Sequence, residues 1–342
     1  MNKMRRYVLL PLLMIGLTGC DMFSPTENIE ASVANTRVAQ AMNQMTTTEM
    51  NSFELSLDAS LDLGYESFDE TSTKTESNSI VATGSLDVKA SNLFNEETGR
   101  ASVVASASVK VVENASTVVD EDMTGSVYYD AGWAYVHVTG LDTITNNSEM
   151  ADIKGKVQVG PLSDLFELPG SEFVPTSEGM LPTEDMVEML AVIDGVKATE
   201  TNDELTVVYT ITIDDVVDAY IKIAEMSGEF NPSDFTSSEF TSLRNGLYDQ
   251  ISSVIKINTA KVTIGVNKEG YLSKFYVDVD VEITEQEYVW ENPETIIGKT
   301  VIAIDANLTI DLTNVNKTVT ITLPSDLNTY PDMTSQFNEP VN

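Results

Sequence analysis

One cysteine, one histidine and two tryptophans are spread over 342 residues, and 19 lysines and arginines stand against 54 aspartates and glutamates. Each scarcity removes a class of protein. A single cysteine, Cys20, forbids any disulfide within the chain. A single histidine, His137, cannot build a His-rich metal site. If Cys20 is consumed by modification, no thiol remains for a Cys–His nucleophile pair. No Gly-x-Ser-x-Gly elbow, phosphate-cradling glycine loop or dinucleotide fingerprint occurs. The formal charge of −35 repels nucleic acid and anionic headgroups, so neither is an expected partner. The acids are dispersed between apolar positions rather than gathered in a block, which points to solubility and not to an acidic interaction tail. The inventory argues against an enzyme and implies no cofactor.

Long apolar runs are also scarce. The one at the start, Tyr7 to Ile15, is interrupted by Pro11 and is too short to cross a bilayer as a helix. Lys3, Arg5 and Arg6 precede it, and Leu17-Thr18-Gly19-Cys20 closes it. Positive flank, short apolar run and small-residue end together read as a signal peptide over residues 1–19. The ending matches the bacterial lipobox, and that resemblance implies a diacylglyceryl thioether on Cys20, the first residue of the mature protein. Loss of the leader removes three basic residues and leaves the mature chain more acidic still. Residues 20–27 then form the lipidated cysteine and a short tether. The expected location is the extracytoplasmic side of a membrane, held there by lipid.

What is plentiful is alternation. In "NSFELSLDASLDLGY", residues 51–65, Phe53, Leu55, Leu57, Ala59, Leu61, Leu63 and Tyr65 take every odd position, and Glu54, Ser56, Asp58, Ser60 and Asp62 fall between most of them. A period of two means a strand with one apolar and one wet face. Residues 80–90 and 101–111 repeat it. "TVVDEDMTGSVYYDAGWAYVHVTG" reads as two strands joined at Asp130-Ala131-Gly132. A shorter strand is expected over 155–159. Further strands follow at 205–213, 256–266, 271–284, 300–312 and 317–323. Helical spacing appears in 28–46 (Val38, Ala41, Met42, Met45). It recurs after an N-cap at Thr183 (Met186, Met189, Leu190, Ile193), after Asp214 or Asp215, and around Phe240, Leu243, Leu247 and Ile251. Residues 161–182, broken by four prolines, read as irregular.

The expected fold is therefore α+β: a large antiparallel sheet of about eleven strands, with about four helices against its single apolar face. One domain covers 28–330, and a flexible tail covers 331–342. The order of elements resembles the LolA/LppX-like lipoproteins: a helix after a lipidated cysteine, a long first strand, a meander, mid-chain helices, and a return meander ending "ITLPSDL". That resemblance implies a curved, open half-barrel with helices on its concave face, and lipid or another apolar ligand in the hollow.

Small residues on neighbouring strands (Ala82, Gly84, Ala105, Ala107) facing methionine-bearing helices (Met186, Met189) are the candidate ligand lining, because small side chains leave room and methionine adapts to varied apolar shapes. Close helix-on-sheet packing uses small residues equally well. An apolar cavity above about 300 Å³ separates the two. The competing function is a structural or protein-interaction lipoprotein with a filled core. Asp278, Asp280 and Glu282 share a strand face but lie nearly 7 Å apart, whereas calcium takes about six to eight oxygens at about 2.3–2.6 Å, so they read as a solvated face. His137, beside Trp133 and Tyr135, reads as structural.

Two acyl chains at about 0.8 kcal/mol per buried methylene hold a protein stably at a membrane. Cys20→Ala is therefore expected to abolish acylation and partitioning into a detergent phase. Mature wild-type protein without acyl mass would overturn the lipobox reading.

Overall fold

The computed structural model describes residues 27–47, 50–93, 95, 97–145, 147–160, 182–201, 204–289 and 292–337. The leader, Cys20 and most of the tether lie outside them. The fold is α+β and mostly sheet: twelve antiparallel strands in one open sheet, with four helices longer than a single turn among the described residues.

In chain order these are β1 (Glu27–Ile29), α1 (Ala31–Thr47), β2 (Phe53–Asp69), β3 (Lys74–Ser91), β4 (Arg100–Glu113), β5 (Ser116–Asp130), β6 (Trp133–Thr139) and β7 (Asp152–Gln158). Then follow α2 (Thr183–Leu190), β8 (Gly195–Glu200), β9 (Glu204–Thr210), α3 (Ile213–Met226), α4 (Ser237–Ser252), β10 (Ile255–Asn267), β11 (Leu272–Val289) and β12 (Asn292–Thr313). The spatial order is β1-β8-β9-β10-β11-β12-β2-β3-β4-β5-β6-β7. Two meanders, β2 to β7 and β8 to β12, thus meet at a seam where the last long strand pairs with the first. Leu57 opposes Ile310 there, and Leu63 opposes Ile304.

Residues directly opposed in an antiparallel ladder share a face. Tyr209, Val262, Val277, Leu308, Ala59, Gly84, Ala107 and Met123 oppose one another in turn from β9 to β5. One apolar face therefore runs across the seam. Its two halves are covered unequally. Over β8–β11, Ala34, Val38 and Ala41 of α1 join Ala198, Leu205, Val207, Tyr209, Val262 and Val281 in a single buried cluster. These helix positions are i, i+4 and i+7, and their small side chains let α1 lie close to the strands. Over β2–β6 the apolar residues are half-buried: Leu55, Leu57, Leu61, Leu63 and Leu86 all keep some solvent contact. The stripe at 53–65 is thus not the surface on which the buried helical cluster is built. A small second cluster of Ala90, Leu93 and Tyr129 closes one end of this half, with Phe53 and Val159 packed on it.

Several local expectations are corrected. The helix after Pro182 begins at Thr183 itself, with no side-chain cap. α3 is capped by Thr212, while Asp215 completes a capping box. Strands β1 and β8 carry too few apolar residues to show a period. Residues 317–323 alternate but form no ladder. They belong to a strap in which Val315, Val319, Leu327 and Tyr330 are buried. The Tyr330 ring packs edge-on against Tyr135 and His137, at 6.1 Å and 6.5 Å between centroids. Where the sequence reads as a flexible tail, the chain lies along the edge of β7: Lys156 N–H donates to Pro331 O, and Met333 N–H donates back to Lys156 O, both at 2.9 Å. An occupied edge is protected from pairing with a second chain.

Unequal cover has a thermodynamic consequence. Leu205 is fully buried, and Leu205→Ala is expected to cost about 2–5 kcal/mol. Leu57→Ala removes methyls that already touch water and should cost less than half as much. Urea melts of both variants decide it, and equal losses would mean that β2 is sealed as completely as β9.

Candidate functional site

Between α1, α2, α3 and strands β9–β11 lies an apolar cavity of about 200 Å³. Met42 of α1, Met189 of α2 and Ile193 of the following turn form its helical side, and Tyr209, Val262 and Phe275 form its floor. Two buried polar groups fix these walls. The Tyr209 hydroxyl donates to Asn35 Oδ1 at 2.9 Å, tying β9 to α1, and burial pushes its phenol far above the ordinary value, so it stays a donor. Asp215 is 4% exposed, and its carboxylate accepts from three groups. Oδ1 takes the Asp194 N–H at 2.9 Å, while Oδ2 takes the Thr212 N–H at 2.7 Å and the Thr212 hydroxyl at 2.6 Å. The first of these bonds clamps the 191–194 turn onto the start of α3 and so holds Ile193 over the cavity.

The cavity is smaller than the roughly 300 Å³ at which ligand pockets begin. Alone it does not separate carriage from packing. The surface beside it is partly open. On the apolar face of β3–β5, Ile80 is 38% exposed, Val119 36% and Val127 39%. A side-chain carbon added at Gly125 would meet nothing within 4 Å. One added at Gly84 would meet only a backbone oxygen at 3.5 Å. Among the described residues, no helix packs extensively on β3, β4 or β5.

The sequence pattern sets Met186 and Met189 opposite Ala82, Gly84, Ala105 and Ala107, and the structure separates these groups. Ala82 and Gly84 lie on β3, and Ala105 and Ala107 on β4. Met189, 8% exposed, covers β9–β11, with β12 and β2 between it and β3. Met186 is half-buried on α2. The two regions share the same cross-strand rows: Val262 beneath the cavity continues through Val277 and Leu308 to Ala59, Gly84 and Ala107. What periodicity could not supply was the strand order. Alternation does not single out Tyr209 or Asp215 as wall residues, although Thr212-x-x-Asp215 before an apolar helix is a readable capping box.

The remaining candidates fall on the opposite, polar face. A shallow depression of about 310 Å³ there is lined by Asp58, Ser60, Thr83, Ser106 and Asn307, and it opens widely to solvent. His137 Nε2 lies 2.9 Å from Asp152 Oδ1. Asp280 accepts from Asn258 Nδ2 at 2.9 Å, and Lys256 stands 3.9 Å from Glu282. Among the described residues no three His, Cys, Asp or Glu side chains are placed to hold a metal ion, and no helix is long and apolar enough to cross a membrane. No family model matches the chain, and no curated protein is significantly similar to it.

Asp215→Ala removes the acceptor of three bonds and strands buried donors at a cost of about 1–3 kcal/mol each before relaxation. The expected result is a lower melting temperature and faster amide exchange at Asp194 and its neighbours. Unchanged exchange in that turn would show that the clamp does not hold the cavity wall.

Proposed function

We propose that this protein is an exported lipoprotein, anchored through Cys20, whose sheet curves into an open half-barrel and holds an apolar ligand against its apolar face. In this reading α1–α3 sit on the concave side and close one end of the hollow, and lipid is the first ligand class to consider. One observation carries it: the apolar face stays half-exposed over β2–β6, with open space at Gly125, directly in line with the cavity beneath the helices. Contiguous exposed apolar surface on a soluble body marks a binding site. The leader supplies the setting, since a membrane-tethered protein meets apolar ligands where they are made or inserted. No catalytic step and no cofactor belongs to this reading. The second reading, a structural or interaction lipoprotein with a filled core, is favoured by the β8–β11 half, where Leu205, Val207 and Val38 are fully buried.

The variant that separates the two is Ala105→Phe, made in the chain from residue 20 onward with Cys20→Ser, so that no acyl anchor competes for the face. Overpacking a filled core costs about 1–3 kcal/mol. On an open face the ring lies over Gly125, which opposes Ala105, and stability stays near that of the parent. Expected is an unchanged melting temperature together with weaker binding of a neutral apolar dye such as Nile red. A large stability loss, with a parent protein that never bound the dye, would sink the ligand reading and leave the structural one.

A further inference from the structure

The two faces of the sheet differ in charge as well as in hydropathy. Every lysine and arginine in strands β2–β7 and β10–β12 falls on the polar side of the register. Lys89 opposes Glu54, Lys110 opposes Asp120, Lys154 opposes His137, Lys261 opposes Asp278 and Lys274 opposes Asp311. No basic side chain of these strands stands on the apolar face. An acid does. Glu121 of β5 opposes Val109, which opposes Ala82, which opposes Leu61, so its carboxylate is on the apolar side of the ladder. It is half-buried between Val119 and Met123 along the strand. No hydrogen bond or ion pair to it occurs among the described residues. Its sequence neighbours Asp120 and Asp122 are on the other face, where Asp120 stands 3.3 Å from Lys110.

Position gives this acid its meaning. The β6 ladder ends where Thr139 opposes Thr124, so Glu121 sits on a stretch of β5 beyond the last β6 pair. One row away, Ala107, Gly84 and Ala59 lead back across the seam to Leu308 and Val277, at the margin of the cavity. From β11 to β5 this track crosses five strand spacings of about 4.8 Å, or about 24 Å. It is apolar along its length and ends beside an unpaired carboxylate.

We propose, resting on the apolar-ligand reading above, that the occupant of this face is a long-chain amphiphile with an ammonium head. Its chain lies over Ala107, Gly84 and Ala59 toward the helix-covered cavity, and its head pairs with Glu121. A carboxylate or phosphate head in the same place meets a like charge with no cation of the sheet on that face. Charge complementarity selects the head, and the apolar rows select the chain. A single partly solvated ion pair is worth about a two- to six-fold change in affinity, and replacing attraction by repulsion roughly doubles the effect on a logarithmic scale. Dodecylammonium is thus expected to bind about ten-fold more tightly than dodecanoate.

The test is displacement of Nile red from the chain beginning at residue 20 and carrying Cys20→Ser, with both amphiphiles below their aggregation concentrations and at low salt. Dodecylammonium should displace the dye at about one tenth of the dodecanoate concentration, and the gap should narrow at high salt. Glu121→Gln should reduce the preference to within about three-fold, while the melting temperature and Nile red affinity stay unchanged. Asp122→Asn, which removes the same charge one residue away on the opposite face, should leave the preference intact. Equal losses from the two variants would assign the preference to net charge and overturn the role of Glu121. Displacement by dodecanoate at equal or lower concentration would overturn the ammonium head while leaving the apolar site standing. Failure of Nile red to bind at all would instead remove the underlying ligand reading.

Discussion

A strand register that never slips across the β12–β2 seam is the constraint on which the rest of this structure depends. Sixteen residue pairs join β12 to β2, from Gly298 opposite Asp69 to Thr313 opposite Glu54, and the ladder contains no bulge. Because side chains alternate with a period of two, a one-residue slip would turn Leu55, Leu57, Leu61 and Leu63 to the wet side and Asp58 and Asp62 to the apolar side. The seam also joins chain segments more than two hundred residues apart, so it forms only when both meanders are in place. Long-range pairing of this kind is slow to nucleate. The payoff is one continuous apolar face built from two separate meanders.

That face sets the demand that the helices answer only in part. α1, with its buried Ala34, Val38 and Ala41, α2 and α3 together bury β8–β11. α4 contributes little, since none of its residues is buried. It is held to α3 by Arg244, whose guanidinium reaches Asp218 at 2.7 Å and 2.8 Å and Asp214 at 2.9 Å. The acids crowd the polar side of the sheet, and the arrangement has a local cost. Asp280, Asp305 and Asp62 oppose one another on adjacent strands, where like charges repel. Asn258 donates to Asp280, which eases one end of that row.

Much of the sheet was legible in the sequence because alternation reports a face directly. The strands around Leu57, Ile80, Val103 and Val279 are where their period puts them, and the hairpins at Asp130-Ala131-Gly132 and Asn267–Gly270 turn with positive φ at Ala131, Gly132 and Gly270. Period says nothing about neighbours, however. Nothing in Met189 or Ala105 reveals that β12, β2 and β3 stand between the strands Met189 covers and the strand of Ala105, because that depends on the non-consecutive pairing at the seam. Short edge elements fail for another reason: β1 has three residues and β8 six, too few for a period to rise above chance. Residues 317–323 fail in the opposite sense. Their alternation is real, but it serves a strap that buries Val319 without entering a ladder.

Tyrosines aside, three polar side chains are buried among the described residues, Asn35, Ser52 and Asp215, and each stands at a junction that apolar packing cannot specify. Asn35 accepts from Tyr209 and fixes the rotation of α1 over β9. Asp215 binds the turn after α2 to the start of α3. Ser52 stands just before β2, where its hydroxyl accepts from the Asn92 N–H at 3.1 Å and its carbonyl from the Asn316 N–H at 2.7 Å. It therefore joins the first long strand to the chain after β3 and to the chain after β12. Apolar contacts would tolerate sliding at all three places, since burial is non-directional. A buried donor or acceptor left unpaired costs about 1–3 kcal/mol, so each of these bonds penalises any shift that breaks it. Asp215 lines the cavity, Asn35 holds the cavity residue Tyr209, and Ser52 pins the beginning of the open half. The polar groups thus hold fixed the boundary of an apolar surface that is itself half-exposed over β2–β6.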